Sequence, residues 1–188
     1  MSTLRYILIL IFGTLIVWFT YSSKYGTTFF EGFIWMFLTG VWIFLSFRTL
    51  IKENGIYKTE RQLKNFMFTY VIAAFSLTAL AIGIKINHNF NKPTLVKAYY
   101  DGDINGVGID LKNDGTYIFE DSAIGISHYT YGNYVIKGDT LMLNVGSYLS
   151  GRFVFKEEES QKYLSQIDSL GNDENPYSKF RIMVDNRK

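Results

Sequence analysis

Long apolar runs fill the first half of the chain, and short alternating stretches fill the second. The runs centre on residues 6–20 (YILILIFGTLIVWFT), 29–47 (FFEGFIWMFLTGVWIFLSF) and 66–84 (FMFTYVIAAFSLTALAIGI). A helix needs about 20 mostly apolar residues to cross the hydrocarbon core of a bilayer. The pattern therefore predicts a membrane module over residues 1–91. Its three transmembrane helices fall at about 6–22, 29–48 and 66–85, with a polar connector at 49–65. From 92 to 188 the period drops to two. Strands are predicted at 95–100, 106–111, 116–120, 127–136, 140–145, 152–156, 162–167 and 179–185. Turn signals separate them: Asp101-Gly102-Asp103, Asn113-Asp114-Gly115, Lys137-Gly138-Asp139 and Gly171-Asn172-Asp173. Asp-Gly and Gly-Asp pairs supply positive φ at little steric cost. Phe180, Ile182 and Val184 alternate with polar or outward positions, as do Tyr117 with Phe119, Phe153 with Phe155, and Leu141 with Leu143. These are the expected core. The fold class is a membrane α-helical module followed by a small all-β antiparallel barrel of about eight strands. Such a barrel is wide enough to be filled by side chains or to hold one small ligand.

Charge sharpens the division. Residues 1–91 hold 8 Lys/Arg and 3 Asp/Glu, and residues 92–188 hold 11 and 14, so the halves carry +5 and −3. The 48% apolar content and only 2 Pro exclude a disordered chain, and the absence of Cys excludes disulfide and thiolate chemistry. The bulky Trp18-Phe19-Thr20-Tyr21 offers no small-x-small cleavage site, so the first run is expected to be a retained helix. Arg5 and the connector residues Arg48, Lys52, Lys58, Arg61 and Lys64 lie on one side of the three spans. Lys24, Lys85 and Lys92 lie on the other, with Lys97 a further candidate. By charge alone the first side is cytosolic and the β-domain periplasmic. Glu60 and Lys64 form an i,i+4 pair, which favours a short surface helix in the connector. Its basic residues suit anionic lipid head groups.

The second and third spans carry small or polar stripes. Thr69, Ser76 and Gly83 are seven apart, as are Gly32, Thr39 and Ser46, and Ala79 with Gly83 forms a small-xxx-small pair. Three readings stand: packing within one chain, packing between chains of a homo-oligomer, or lining of a pore. Glu31, near the start of the second run, is read as solvated at the interface rather than as part of an ion path.

Catalytic patterns are few. His88 and His128 are the two histidines, and neither a Ser-His-Asp set nor a paired-His zinc motif can be assembled from them. Asp101-Gly-Asp103-Ile-Asn105-Gly106 begins like a calcium loop, but residue 112 is Lys where the bidentate Glu belongs. Gly106-x-Gly108 lacks the Lys-Ser/Thr of a phosphate loop. No enzyme, cofactor or metal is expected. A binding role has more support. Tyr129 and Tyr131 share one strand face, Tyr99, Tyr100 and Tyr148 add aromatic surface, and Arg152, Lys179 and Arg181 lie opposite the expected core. Tyrosines with nearby Arg and Lys are how single-stranded nucleic acid or nucleotides are held. The alternative is that the tyrosines cover the barrel. The net −3 speaks against nonspecific DNA binding.

The stretch 99–143, YYDGDINGVGIDLKNDGTYIFEDSAIGISHYTYGNYVIKGDTLML, with the closing FRIMVDNR at 180–187, resembles a β-domain recurring in uncharacterised Bacteroidetes proteins. Asp114-Gly115-Thr116-Tyr117 with Tyr131-Gly132-x-Tyr134 is similar to lipocalin-like barrels. The whole layout resembles the transmembrane effectors of bacterial anti-phage nucleotide signalling, of the CBASS transmembrane–β-barrel type and the Hailong channel type. That resemblance implies an oligomeric inner-membrane pore or ion channel. Its β-barrel would face the cytosol and read a nucleotide or short oligonucleotide made by a partner nucleotidyltransferase. The alternative is a membrane-anchored periplasmic lipocalin-like domain binding an apolar ligand or an envelope protein.

Overall fold

The computed structural model describes residues 3–102, 105–143, 151–167 and 179–187. The predicted connector Gly171-Asn172-Asp173, Tyr148, Asp103 and the end of the strand expected at 140–145 lie outside them. The chain forms two compact units, Met1–Asn89 and Phe90–Lys188.

In the first unit, α1 (Thr3–Ser22) leads through a 3-10 turn and a three-residue extended segment, β1 (Gly26–Thr28), into α2 (Phe29–Glu60). A second 3-10 turn (Leu63–Phe66) precedes α3 (Met67–Phe90). All three helices are long and apolar enough to cross a membrane. The buried centre is small: Ile9, Ile16, Trp42 and Ile72, with Phe12, Phe68, Val71, Phe75 and Ala79 around it. The remaining apolar surface faces outward, including Phe30, Phe33, Phe37 and Phe44 of α2. That pattern suits a lipid solvent, which rewards outward apolar side chains as water does not.

The connector differs from expectation. Helix α2 runs unbroken for 32 residues, about 48 Å at 1.5 Å per residue. It absorbs residues 49–60 because Thr49 and Glu53 continue the inward line begun by Leu38 and Trp42. The helix stops at Arg61, which takes a left-handed conformation (φ 55°) and returns its N–H to Tyr57 O. Glu60 and Lys64 are therefore not a helical pair. Glu60 instead accepts from Asn65 Nδ2 at 3.0 Å. The start of α2 is a capping box: Glu31 N donates to Thr28 Oγ1 (3.2 Å) and Thr28 N to Glu31 Oε2 (2.8 Å). Glu31 thus serves the helix terminus and its dipole.

Gly13 of α1 makes room for the Phe75 ring of α3. A Cβ there would lie 2.6 Å from the Phe75 ring. Gly13→Leu should destabilise the helical unit by about 1–3 kcal/mol through overpacking. A fall in the thermal midpoint of tryptophan emission checks this, because all three Trp lie in this unit; an unchanged midpoint contradicts it.

The second unit is a closed barrel of eight antiparallel strands. They are β2 (Thr94–Asp101), β3 (Asn105–Lys112), β4 (Thr116–Ala123), β5 (Ile126–Lys137), β6 (Thr140–Leu143), β7 (Arg152–Glu158), β8 (Gln161–Gln166) and β9 (Lys179–Asp185). Each pairs with the next, and β9 returns to β2 to close the ring. Pairing of β9 with β2 removes the two edges that the first and last strands of the meander would otherwise present. β7 runs two residues past its predicted end at 156, to Glu158, and Glu159-Ser160 makes the hairpin. Ile124-Gly125 makes another that the sequence pattern did not mark, with Gly125 at φ 73°.

The interior is occupied by side chains. Val96, Ala98, Ile109, Leu111, Tyr117, Leu141, Leu143, Phe153, Leu164 and Phe180 form one buried cluster. Tyr117 lies against Gly132, where an added Cβ would sit 2.6 Å from its ring. Near the C-terminal end of β9, Asp185 binds Arg187 (2.8 Å) and Lys162 (3.0 Å), and the Arg187 guanidinium stacks on Phe155 at 3.5 Å. Arg187 first, and then Lys162, hold the Asp185 carboxyl well below the usual carboxylate range, against the opposing effect of burial.

Candidate functional site

The outer wall of the barrel carries the predicted ligand-binding residues. Tyr117 and Phe119 face the core, and their register partners Gly132 and Thr130 stand on the same side of the sheet. Tyr129 and Tyr131 therefore point outward. Phe90 meets them edge-on at 5.0 and 6.2 Å. Burial first, and then Glu120, raise the Tyr129 hydroxyl above its ordinary pKa. These rings are packed onto the wall and are not open stacking faces.

The cations lie elsewhere. Arg152 is on β7, and Lys179 and Arg181 are on β9. Lys179 binds Glu158 at 2.9 Å. Register links one outer row around the barrel: Lys156, Tyr163, Arg181, Tyr99, Gly108, Glu120 and Tyr129. Arg181 and Tyr129 are four strands apart on that row, about 19 Å at 4.8 Å per strand. Glu120 stands beside Tyr129. The five predicted residues therefore do not converge on one mononucleotide-sized spot.

A tighter group appears instead. Tyr163, Arg181 and Tyr99 are successive neighbours on three adjacent strands, with Lys156 at one end. Tyr99 lies across β3, over Gly106 and Gly108, whose missing side chains make room for it. A Cβ at Gly106 would overlap the Tyr99 hydroxyl. This accounts for the Gly106-x-Gly108 pair: it seats an aromatic platform. Arg181 is exposed, and Tyr99 and Tyr163 are half-buried. A tyrosine on each strand beside Arg181 offers the kinds of group that a planar anionic ligand uses. Tyr163 was missed because its role depends on which strand lies beside it.

The chain entering the barrel is held at the end of β3. Lys112, 2% exposed, donates to Phe90 O (2.8 Å), Lys92 O (3.2 Å) and Asp110 Oδ2 (2.8 Å). Thr94 Oγ1 donates to Asp110 Oδ1 at 2.8 Å. Lys92 pairs with Asp114 at 2.7 Å. Lys92 first, and then Thr116, lower the Asp114 pKa well below the usual range.

In the helical unit, most of the predicted stripe residues do come together. Thr39, Ser76, Ala79 and Gly83 line one groove of about 520 Å³ with Thr20, Trp35, Trp42 and Asn87 among its other walls. Trp42 Nε1 donates to Ser76 Oγ at 3.1 Å, so Ser76 takes part in packing within one chain. Gly83 has nothing within 4 Å of a would-be Cβ. Ser46 donates back to Trp42 O (2.7 Å), and Thr39 to Trp35 O (2.8 Å). Ser46 and Thr69 are not among the groove's lining residues, and Thr69 has a different partner. It binds Glu53, whose carboxylate accepts from Phe68 N (3.1 Å), Thr69 N (3.0 Å) and Thr69 Oγ1 (2.6 Å).

Among the described residues, no group of three or more His, Cys, Asp or Glu is placed to hold a metal ion. The molecule belongs to a broad structural class: a module of three helices long and apolar enough to cross a membrane, followed in the chain by a closed, side-chain-filled β-barrel. No known protein family, curated protein or solved structure matches the chain.

Proposed function

We propose that the protein is an oligomeric inner-membrane effector whose spans form a pore or ion channel controlled by a nucleotide or short oligonucleotide at the barrel, in anti-phage defence. The signal would come from a partner nucleotidyltransferase. The observation that carries this reading is a groove in which Thr20, Thr39, Ser76 and Asn87 interrupt a mainly apolar lining between the spans. Polar side chains on spans cost free energy in lipid and typically face a bundle interior or a water-filled path. In an oligomer such grooves would face one another. The Tyr163–Arg181–Tyr99 row supports the ligand half of the proposal. Gating would follow from a ligand that binds the barrels of one assembly state more tightly than those of the other.

The periplasmic lipocalin-like alternative loses part of its appeal. The barrel centre is filled by Tyr117, Phe153 and Leu164, which leaves an envelope protein as the better partner under that reading.

Two measurements test the proposal on the full chain in liposomes. Ser76→Leu and Gly83→Leu should each reduce dye or ion flux by tenfold or more while helicity is kept. Unchanged flux in both removes the pore. Tyr99→Ala with Arg181→Ala should weaken binding of a labelled DNA hexamer or a cyclic dinucleotide by about 5- to 150-fold, given ~1–3 kcal/mol per stacked base. Equal binding by wild type and variant removes this site.

A further inference from the structure

On the outer wall of the barrel, Gly108 leaves a gap in β3 into which two chemically different side chains lean from opposite sides. Gly108 faces outward because its neighbour Ile109 is in the core. Tyr99 comes from β2 and Glu120 from β4, and both are register partners of Gly108. Tyr99 Cδ2 and Glu120 Oε2 lie 3.4 and 3.8 Å from the point where a Gly108 Cβ would stand. The ring and the carboxylate therefore converge on one spot. Glu120 is steadied from its far side, where the Tyr129 hydroxyl hydrogen-bonds it. A carboxylate has about four acceptor sites, so that bond leaves most of them open. Arg181, the register partner of Tyr99 on β9, is exposed.

A planar group stacked on Tyr99 would bring one edge to Glu120, and an ionised carboxylate only accepts hydrogen bonds. Among the bases, guanine presents two adjacent donors on one edge, N1–H and the N2 amine, which match the two oxygens of a carboxylate. The amines of adenine and cytosine have a ring nitrogen beside them whose lone pair repels a carboxylate. The N3–H of uracil or thymine sits between two carbonyls. We infer that Glu120 makes the Tyr99 site selective for guanine, an assignment that rests on the nucleotide reading above and goes on to name the base. The base lies on Tyr99, and its N1–H and N2 amine donate to Glu120. An arginine side chain also carries paired N–H donors and stacks on rings. Arg181 beside Tyr99 repels such a second cation and suits the phosphate of a nucleotide.

Binding of the linear dinucleotides pGpG, pIpI and pApA to the full chain in lipid nanodiscs tests it. The wild type should bind pGpG more tightly than pApA by about 5- to 150-fold, the range for one bidentate pair. It should also prefer pGpG to pIpI, which lacks only the N2 amine, by about tenfold. Glu120→Gln replaces one acceptor by a donor, and an amide pairs well with adenine. That variant should bring the three ligands within about threefold of one another without weakening pApA. If Glu120 only braced the wall, Glu120→Gln would weaken all three alike and keep the preference, which overturns the inference. Equal binding of the three by the wild type overturns it too, while leaving the nucleotide reading in place. Binding of none removes both. Displacement of pGpG by an equal concentration of methylguanidinium would assign the spot to an arginine of a partner and overturn the guanine assignment.

Discussion

Lys112→Ala lowers the stability of the barrel by about 3–5 kcal/mol, the cost of breaking a buried ion pair from one side. The Lys112 side chain is 3% exposed and its ammonium serves the Asp110 carboxylate and the carbonyls of Phe90 and Lys92. Alanine leaves Asp110 with the Thr94 hydroxyl as a donor and takes the ammonium away from both carbonyls. Each deserted group carries its own desolvation penalty. Lys112→Met restores the volume of the stem but none of the donors, so it should recover less than half of the loss. Urea unfolding of the full chain in detergent separates the units. Trp18, Trp35 and Trp42 report on the helices alone, and the far-UV β signal reports on the barrel. The β transition should move to lower urea while the tryptophan transition stays. A Lys112→Ala barrel within about 0.5 kcal/mol of wild type, the range of an ordinary surface substitution, would show that the ammonium is not what holds this segment.

Phe153→Ala is expected to cost a similar amount, about 3–5 kcal/mol, by a different route. Phe153 has no exposed surface. It sits across from Leu141 on β6 and meets Phe180 of β9 edge-on at 5.8 Å. Because the strands close on themselves, the wall cannot collapse inward far enough to refill the space, so most of the cavity cost remains. Met183→Ala is the control. Met183 is on β9 as well but is 63% exposed, and its truncation should change stability by less than about 0.5 kcal/mol. The same urea titration reads both. Equal midpoints for the two variants would mean that the barrel centre is loosely packed, contrary to the buried cluster seen here.

The strands were legible because two local signals agree. Side chains alternate with period two on a half-buried wall, and Gly with Asp or Asn marks most of the turns. The last strand, Lys179–Asp185, falls where the pattern put it. The Ile124-Gly125 hairpin was missed because its apolar Ile disguises the turn. The spans were legible from apolar length. The end of α2 was not, because hydropathy drops at residue 49 while the helix continues on the packing of Thr49 and Glu53. The candidate binding row was only half legible. Arg181 and Tyr99 carry the right chemistry in the sequence, but their adjacency to Tyr163 follows from closure of β9 onto β2.

Taken alone, the amino-acid order determined the division into oily helices and alternating strands, since hydrophobic period and length act over a few neighbouring residues. It also determined which residue types were on hand for stacking, ion pairing and close helix approach. Only the tertiary structure decided what those residues do: that Glu31 caps its own helix, that Glu53 caps a different one, and that Tyr129 lies four strands from Arg181. The reason is physical. Pairing, capping and burial are set by groups far apart in the chain, and no local period records which of them meet.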